Sequence, residues 1–406
     1  KWPVDLLELD ISPNVTNHEV DAFKELFSVG KHNISAIKHI QRKPFYQLLD
    51  GRILFADISN AYDVIFDKFE AIAKIDNKFY SKFYQKHKAD WLERRAYEHL
   101  CKIFPKSDVY QNLCYKDPDK ENAEAEMDLA VKWGPFLLVV EAKSKQFRFE
   151  SRVGDVGRLR TDIIKNIHDG FEQSLRAIRY INSVGECHFR KKDTKKRFSF
   201  ISSDIKKIFS ISITFNRMAD IATRLHELDD LNLFTDKNYP FSICESDFEL
   251  LTKAKVTPDV FLHYIQRRLE LFSDVREWKG DELDLFSAYL DSRLLIDNLT
   301  FKQDEHFNVM HFTGYSLQFD ELMAFERNEY SIEPDISLNL PNETEQLFET
   351  LKHYDDDGAR WIAFALLALS DKLLNNITQL LLHIDLETLQ QGYRTRTFIE
   401  GTTVVV

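Results

Sequence analysis

The chain has 406 residues, enough for two or three domains of ordinary size. Hydrophobic residues at 44% and charged residues at 30%, with thirty-two Phe and fifteen Tyr, exclude extensive disorder and describe a soluble globular protein with well-filled cores. Four scattered cysteines with no CxxC pair argue against a disulfide framework or a zinc site and fit a reducing cytoplasm. No signal peptide is visible, and the apolar stretch 361–369 meets Asp371 and Lys372 before it could span a bilayer. The chain begins with Lys1 and stops inside an apolar run, so the natural protein is expected to extend further.

Residues 1–90 read as a mostly helical region with a small β insertion. Helical spacing covers 18–27, 34–40 and 61–75, and a small hairpin is expected from 45–49 and 52–55 around Asp50-Gly51. No chemistry is visible there, and the expected role is to brace the rest of the fold or to hold a partner. Residues 91–104 form the next helix, with an apolar stripe of Tyr97, Leu100, Cys101 and Phe104. Glu93 falls about 40° from the centre of that stripe and Glu98 about 100° away. A glutamate on a buried face needs a reason. Residues 109–115 then read as a strand and 117–122 as a polar loop.

Residues 124–143, EAEMDLAVKWGPFLLVVEAK, hold carboxylates where a folded chain should avoid them. Gly134 and Pro135 punctuate two apolar-rich runs, which predicts a β-hairpin. In the first arm, alternation puts Met127, Leu129 and Val131 on one face and Glu126, Asp128 and Ala130 on the other. The second arm, 136–140, is apolar on both faces, the mark of a strand covered on both sides. A turn centred near Trp133 and Gly134 sets Asp128 opposite Val139 or Val140, with Glu141 its direct or diagonal neighbour. Two buried carboxylates that close either force one to take up a proton or hold a divalent cation. Hard oxygen ligands suit Mg²⁺ or Mn²⁺. Lys143 projects toward the same spot.

Asp128, a hairpin, then Glu141-Ala142-Lys143 resembles the D…(D/E)xK signature of the PD-(D/E)XK nuclease superfamily. The resemblance covers well under half the chain. It implies a restriction-endonuclease-like α/β fold, a mixed central sheet flanked by helices. It also implies metal binding by the two acids and a lysine that positions or activates the attacking water. The pattern Glu93, Ala96, Leu100, Ile103 resembles the superfamily's acidic residue on the helix before the first core strand, implying Glu93 as a further metal ligand or a base acting through water. GFEQSLRAIRYI, residues 170–181, resembles the helix after the ExK strand, which in many members carries a glutamine, here Gln173.

After Lys143, a basic stretch with Gly154 and Gly157 reads as irregular and as a flap. A helix from Thr161 to about Ile181 follows, with an apolar stripe of Ile163, Ile167, Phe171, Leu175 and Ile178. Gln173 shares a separate face with Gly170, Ala177 and Tyr180, where small residues would allow close approach to the sheet. Residues 143–207 hold seventeen Lys or Arg against eight Asp or Glu, although the whole chain carries −12. Within that segment, 188–197 is a basic tip between two strands; Lys191, Lys192, Lys195, Lys196 and Arg197 are candidate phosphate contacts, weighed against a plain solvated loop. Residues 208–215 should extend the sheet and 234–243 add an edge. From residue 246 the pattern is mostly helical, with helices at 260–272, the first capped by Thr257-Pro258, at 281–295, 343–351 and 358–384, and strands at 395–399 and 402–406. His306 and His311 lack further ligands at metal spacing.

The sequence therefore predicts three regions: a helical 1–90, a nuclease-like core 91–245, and a mostly helical C-terminal domain 246–406. The expected activity is Mg²⁺- or Mn²⁺-dependent hydrolysis of phosphodiester bonds by a cytoplasmic enzyme in anti-phage defence or DNA repair. DNA is favoured because it is the commoner substrate in the superfamily. The alternatives are an inactive nucleic-acid-binding module and a scaffold subunit of a larger assembly.

Overall fold

The structure, a computed structural model, describes residues 58–295 except 153, 219 and 275, residues 309–391, and short stretches before and after these. The chain divides into two compact units, Lys1–Lys88 with Gln146–Asp162, and Ala89–Lys145 with Ile163–Val406. Among the described residues no helix is long and apolar enough to cross a membrane.

In the first unit Phe45–Gln47 pairs antiparallel with Ile53–Phe55, as the Asp50-Gly51 signal predicts. The helix expected over 61–75 runs from Ile58 to Ile75. The helices expected over 18–27 and 34–40 fall wholly or largely outside the described residues. The stretch after Lys143 is irregular over residues 144–148, but Phe149–Arg152 and Val156–Ile163 are helical. Asp155 starts the second of these by accepting from the backbone N–H of Arg158 at 3.0 Å. Asp162 accepts from Arg148 N and Nε and from Ser151 Oγ, which ties the two helices together.

The second unit is built on a mixed seven-stranded sheet. Its strands are β1 (Val109–Lys116), β2 (Glu124–Trp133), β3 (Phe136–Lys143), β4 (Glu186–Lys191), β5 (Arg197–Ile201), β6 (Lys207–Thr214) and β7 (Phe241–Cys244), in the spatial order β7-β6-β3-β2-β1-β4-β5. β1, β2 and β3 form an antiparallel meander, β6 and β7 add in parallel beside β3, and the β4–β5 hairpin adds antiparallel to β1. Leu137 to Val140 of β3 are all buried, which is why both faces of that strand are apolar.

Helix α1 (Gln85–Ile103) covers one face: its Leu92, Ala96 and Leu100 join Leu129, Val131, Leu138, Val140, Ile211 and Ile213 in one core. The buried stripe of α1 is rotated from the predicted one. Ala96, His99 and Ile103 are buried, whereas Tyr97 and Cys101 are only partly so. Helix α2 (Asp169–Ser183) covers the other face through Ala177, Tyr180 and Ile181, packed on Leu113, Leu137 and Val139. Its small-residue face meets the sheet, and Leu175 and Ile178 of the expected stripe stay half-buried.

Helices α3 (Pro258–Glu270), α4 (Glu282–Ser292), α5 (Asp357–Leu366) and α6 (Asp371–Gln391) stand where helical spacing predicts them. Phe261, Phe286, Phe364 and Leu374 from these helices lie in the same core as α1 and the sheet. The boundary expected at 245/246 therefore does not divide the core. The reason is amphipathic: these helices bury their apolar faces on the sheet layer rather than on one another alone.

Candidate active site

The β2–β3 hairpin turns on Gly134 and Pro135, one residue later than predicted, with Trp133 paired to Phe136. Gly134 sits at φ +53°, a left-handed conformation that favours glycine. This register carries Leu129 opposite Val140, and there the ladder ends. The next step would set Asp128 across from Glu141. Instead Asp128 Oδ2 accepts from the backbone N–H of Ala142 at 2.9 Å, and a carboxylate stands where a ladder bond would continue.

Regular alternation fails at this point. Leu129 and Val131 face the α1 side, but Met127 and Ala125 lie in the core on the α2 side. The neighbouring strand shows why. Asn112 of β1 adopts φ +52°, and the β1–β2 ladder skips the Asn112–Asp128 position while pairing residues on either side. A left-handed residue re-aims a strand locally, as at a bulge, and Asp128 is the residue re-aimed here.

Glu141 and Lys143 both project to the α2 side of β3. Glu141 is 1% exposed. Lys143 Nζ donates to Glu141 Oε2 at 2.8 Å and to Gln173 Oε1 at 2.5 Å, and lies 3.6 Å from Asp128 Oδ2. The lysine stem fits because Gly170 of α2 has no side chain; a Cβ there would lie 3.2 Å from Lys143 Cε and 3.2 Å from Ser212 Oγ. Ser212 of β6 pairs with Glu141 across the parallel ladder. Two buried oxygens here, Glu141 Oε1 and Ser212 Oγ, have no hydrogen-bond partner among the described residues.

The electrostatics follow from crowding. Burial, followed by the charge of Asp128, pushes Glu141 well above the usual carboxylate range despite Lys143. Burial also raises Glu93 to about 7, with Asp128, Asp90 and Glu126 adding to the effect and Lys143 opposing it. Burial works to lower Lys143, but Glu141 and Asp128 outweigh it and the net shift is upward. The cluster thus brings together Asp128, Glu141, Lys143 and Gln173, with Glu93 close enough to feel the same charges. Glu98 is exposed and paired with Arg95 at 3.1 Å.

The basic tip is the turn of the β4–β5 hairpin, at the sheet margin beyond β1. Lys192 Nζ lies 2.5 Å from Glu126, and Arg190 lies 2.6 Å from Glu124. Lys196 stands 5.1 Å from the centre of the Phe198 ring. Lys191 is half-buried, and Lys195 and Arg197 are exposed. The tip is therefore less free than its sequence suggests, because acids of β2, sixty-six positions away in the chain, meet it. His306 lies outside the described residues, and His311 is exposed on a short strand.

Sequence reasoning did not single out Asn112 or Ser212. Alternation of Ile211 and Ile213 could have flagged Ser212 as the residue facing the other way. Nor did it find His99, Glu245 and Glu249, whose ligand atoms lie within 4.8 Å of one another; among the described residues they are the one trio of possible ligands drawn together in this way, and Asp128, Glu141 and Glu93 are not. Arg95 bonds both glutamates at 2.9 Å, so that trio already carries its counter-charge. Comparison of the chain with protein-family models, with curated proteins and with solved structures finds no match.

Proposed function

We propose that this chain is a metal-dependent nuclease of the PD-(D/E)XK kind, with a restriction-endonuclease-like core that hydrolyses phosphodiester bonds, DNA being the favoured substrate. One observation carries the reading: Asp128, Glu141 and Lys143 converge at the point where β2 and β3 part. The donor set fits a hard divalent cation. Glu141 Oε1 is buried with no partner among the described residues, and two carboxylates, Asp128 and Glu141, share one ammonium, so a further positive charge relieves both faults. Asp128 and Glu141 would hold Mg²⁺ or Mn²⁺, with Glu93 as a further ligand. Bound there, the ion supplies Lewis acidity toward a phosphate oxygen and acidifies a water.

The remaining work belongs to side chains. Gln173 fixes the Lys143 ammonium, which then orients the attacking water or offsets charge developing on the phosphate. In the alternative role, with Glu93 off the metal, burial that raises it to about 7 suits it to accept a proton through water. Lys191, Lys192, Lys195, Lys196 and Arg197 would touch the phosphate backbone away from the metal. The cellular setting we favour is anti-phage defence or DNA repair.

A second reading is favoured by Lys143 itself. Its ammonium touches Asp128, Glu141 and Gln173 together and could serve as a permanent counterion in an inactive binding or scaffold chain. One experiment separates the two. Labelled duplex DNA, single-stranded DNA and RNA are incubated with the protein in Mg²⁺, Mn²⁺ or EDTA. Cleavage that needs the metal and disappears in Asp128→Ala and Glu141→Ala supports the nuclease; equal cleavage in EDTA, or none under any condition, refutes it.

A further inference from the structure

Residues 77–89, NKFYSKFYQKHKA, contain four lysines and no acid. They open as Asn77–Phe79, continue as a π-helical turn Tyr80–Tyr84, and run on into α1. Asp76 starts the run by accepting from the N–H groups of Lys78 and Phe79 at 2.9 Å. Two aromatic pairs repeat at i, i+4 and have opposite fates. Tyr80 and Tyr84 stack at 5.6 Å on the inner side, where Tyr80 donates to Glu70 at 2.7 Å and Lys88 pairs with Glu70 at 2.9 Å. These contacts pin the run to the helix Ile58–Ile75.

The outer side is left to Phe79 and Phe83. They stack on each other with centroids 6.2 Å apart, yet are 47% and 53% exposed. Beside them Lys78, Lys82 and Lys86 recur at four-residue spacing, all exposed, and no carboxylate pairs with any of the three among the described residues. Protein interfaces are enriched in aromatic residues but depleted in lysine. Exposed rings interleaved with unpaired cations are instead the combination by which single-stranded nucleic acid is held, bases on rings and phosphates on ammonium groups.

We propose that the outward face of residues 77–88 binds single-stranded nucleic acid, with Phe79 and Phe83 stacking on bases and Lys78, Lys82 and Lys86 neutralising phosphates. The proposal rests on the reading that the chain acts on nucleic acid, but not on its cleaving it. The three lysines are also better placed to receive phosphates than Lys192, which Glu126 already neutralises. The neighbouring exposed Phe69, Ile72 and Ile75 are what a protein partner or a membrane would use, and the test includes that outcome.

The test is a fluorescence-anisotropy titration of a labelled oligothymidylate with the full chain in EDTA, repeated across salt concentrations. Changing Lys78, Lys82 and Lys86 together to Ala should weaken binding and flatten the slope of log K against log salt by about 0.7 for each phosphate no longer neutralised. The double variant Phe79→Ala, Phe83→Ala should weaken binding about tenfold or more and leave that slope in place. All five residues are exposed, so circular dichroism melts should hardly move; if the Phe variant fails to fold, the lysine slope decides. Absent binding, or affinity and slope unchanged in the lysine variant, overturns the proposal. So does a Phe variant whose sedimentation or vesicle binding changes while its oligonucleotide affinity does not. Binding retained by Asp128→Ala, with no cleavage by the wild type, would sink the nuclease reading and leave this one standing.

Discussion

Replacing Glu141 by Gln should make the metal-free protein more stable and abolish its metal response. Glu141 is 1% exposed, its Oε1 has no partner among the described residues, and burial with the Asp128 charge holds its proton well above the ordinary value of 4.5. Between pH 4.5 and its folded pKa, the folded chain keeps a proton that the unfolded chain has released. Stability from this group is therefore full below 4.5 and falls as pH rises, by about 1.4 kcal/mol per unit. Gln has no such slope, and Lys143 would still have Gln173 at 2.5 Å and Asp128 at 3.6 Å. The variant should match the wild type near pH 4 and lead it by a growing margin as pH rises from 4.5 toward the folded pKa. Mg²⁺ at a hundredfold over its Kd should add about 2.7 kcal/mol to the wild type and nothing to the variant. Denaturant melts at several pH values, with and without Mg²⁺, read all of this. A variant less stable than the wild type at pH 8 without metal, or one that Mg²⁺ stabilises equally, would mean that Glu141 is neither strained nor a ligand.

Lys143→Met leaves two carboxylates without their ammonium and should cost about 3 kcal/mol at pH 8, with Mg²⁺ restoring part of it in the same melts. Gly170→Ala puts a methyl 3.2 Å from Lys143 Cε, so cleavage in single turnover should slow about tenfold while the melting midpoint moves little. Gly134→Ala, at φ +53° and with Arg360 Cδ only 2.6 Å from the new Cβ, should lower stability by about 1–2 kcal/mol by denaturant titration, without changing metal affinity.

The central hairpin was legible because β3 is a run of five apolar residues bounded by Gly-Pro and by Glu-Ala-Lys, signals that hold whatever surrounds them. The Asp128 position was legible only by its neighbourhood. Counting alternate residues assumes an unbroken pleat, and the left-handed Asn112 on the adjacent strand breaks it, sending Met127 to the face opposite Leu129. The tilt of α1 was misjudged for a related reason: Ala96 and His99 are not counted as strongly apolar, yet both are buried. The two glycines after Lys143 suggested an irregular flap, and they outweighed the Asp155 cap that starts a helix there. The ties of Lys192 to Glu126 and of Arg190 to Glu124 depend on β4 lying beside β1, a strand order that local pattern does not encode.

Anomalous diffraction at the manganese edge, from crystals of the protein soaked in Mn²⁺, would locate the metal site outright. A peak should stand within about 2.0 to 2.5 Å of carboxylate oxygens from both Asp128 and Glu141, and should vanish in Glu141→Gln. A peak at His99, Glu245 and Glu249 alone, or none anywhere at saturating Mn²⁺, would contradict the assignment.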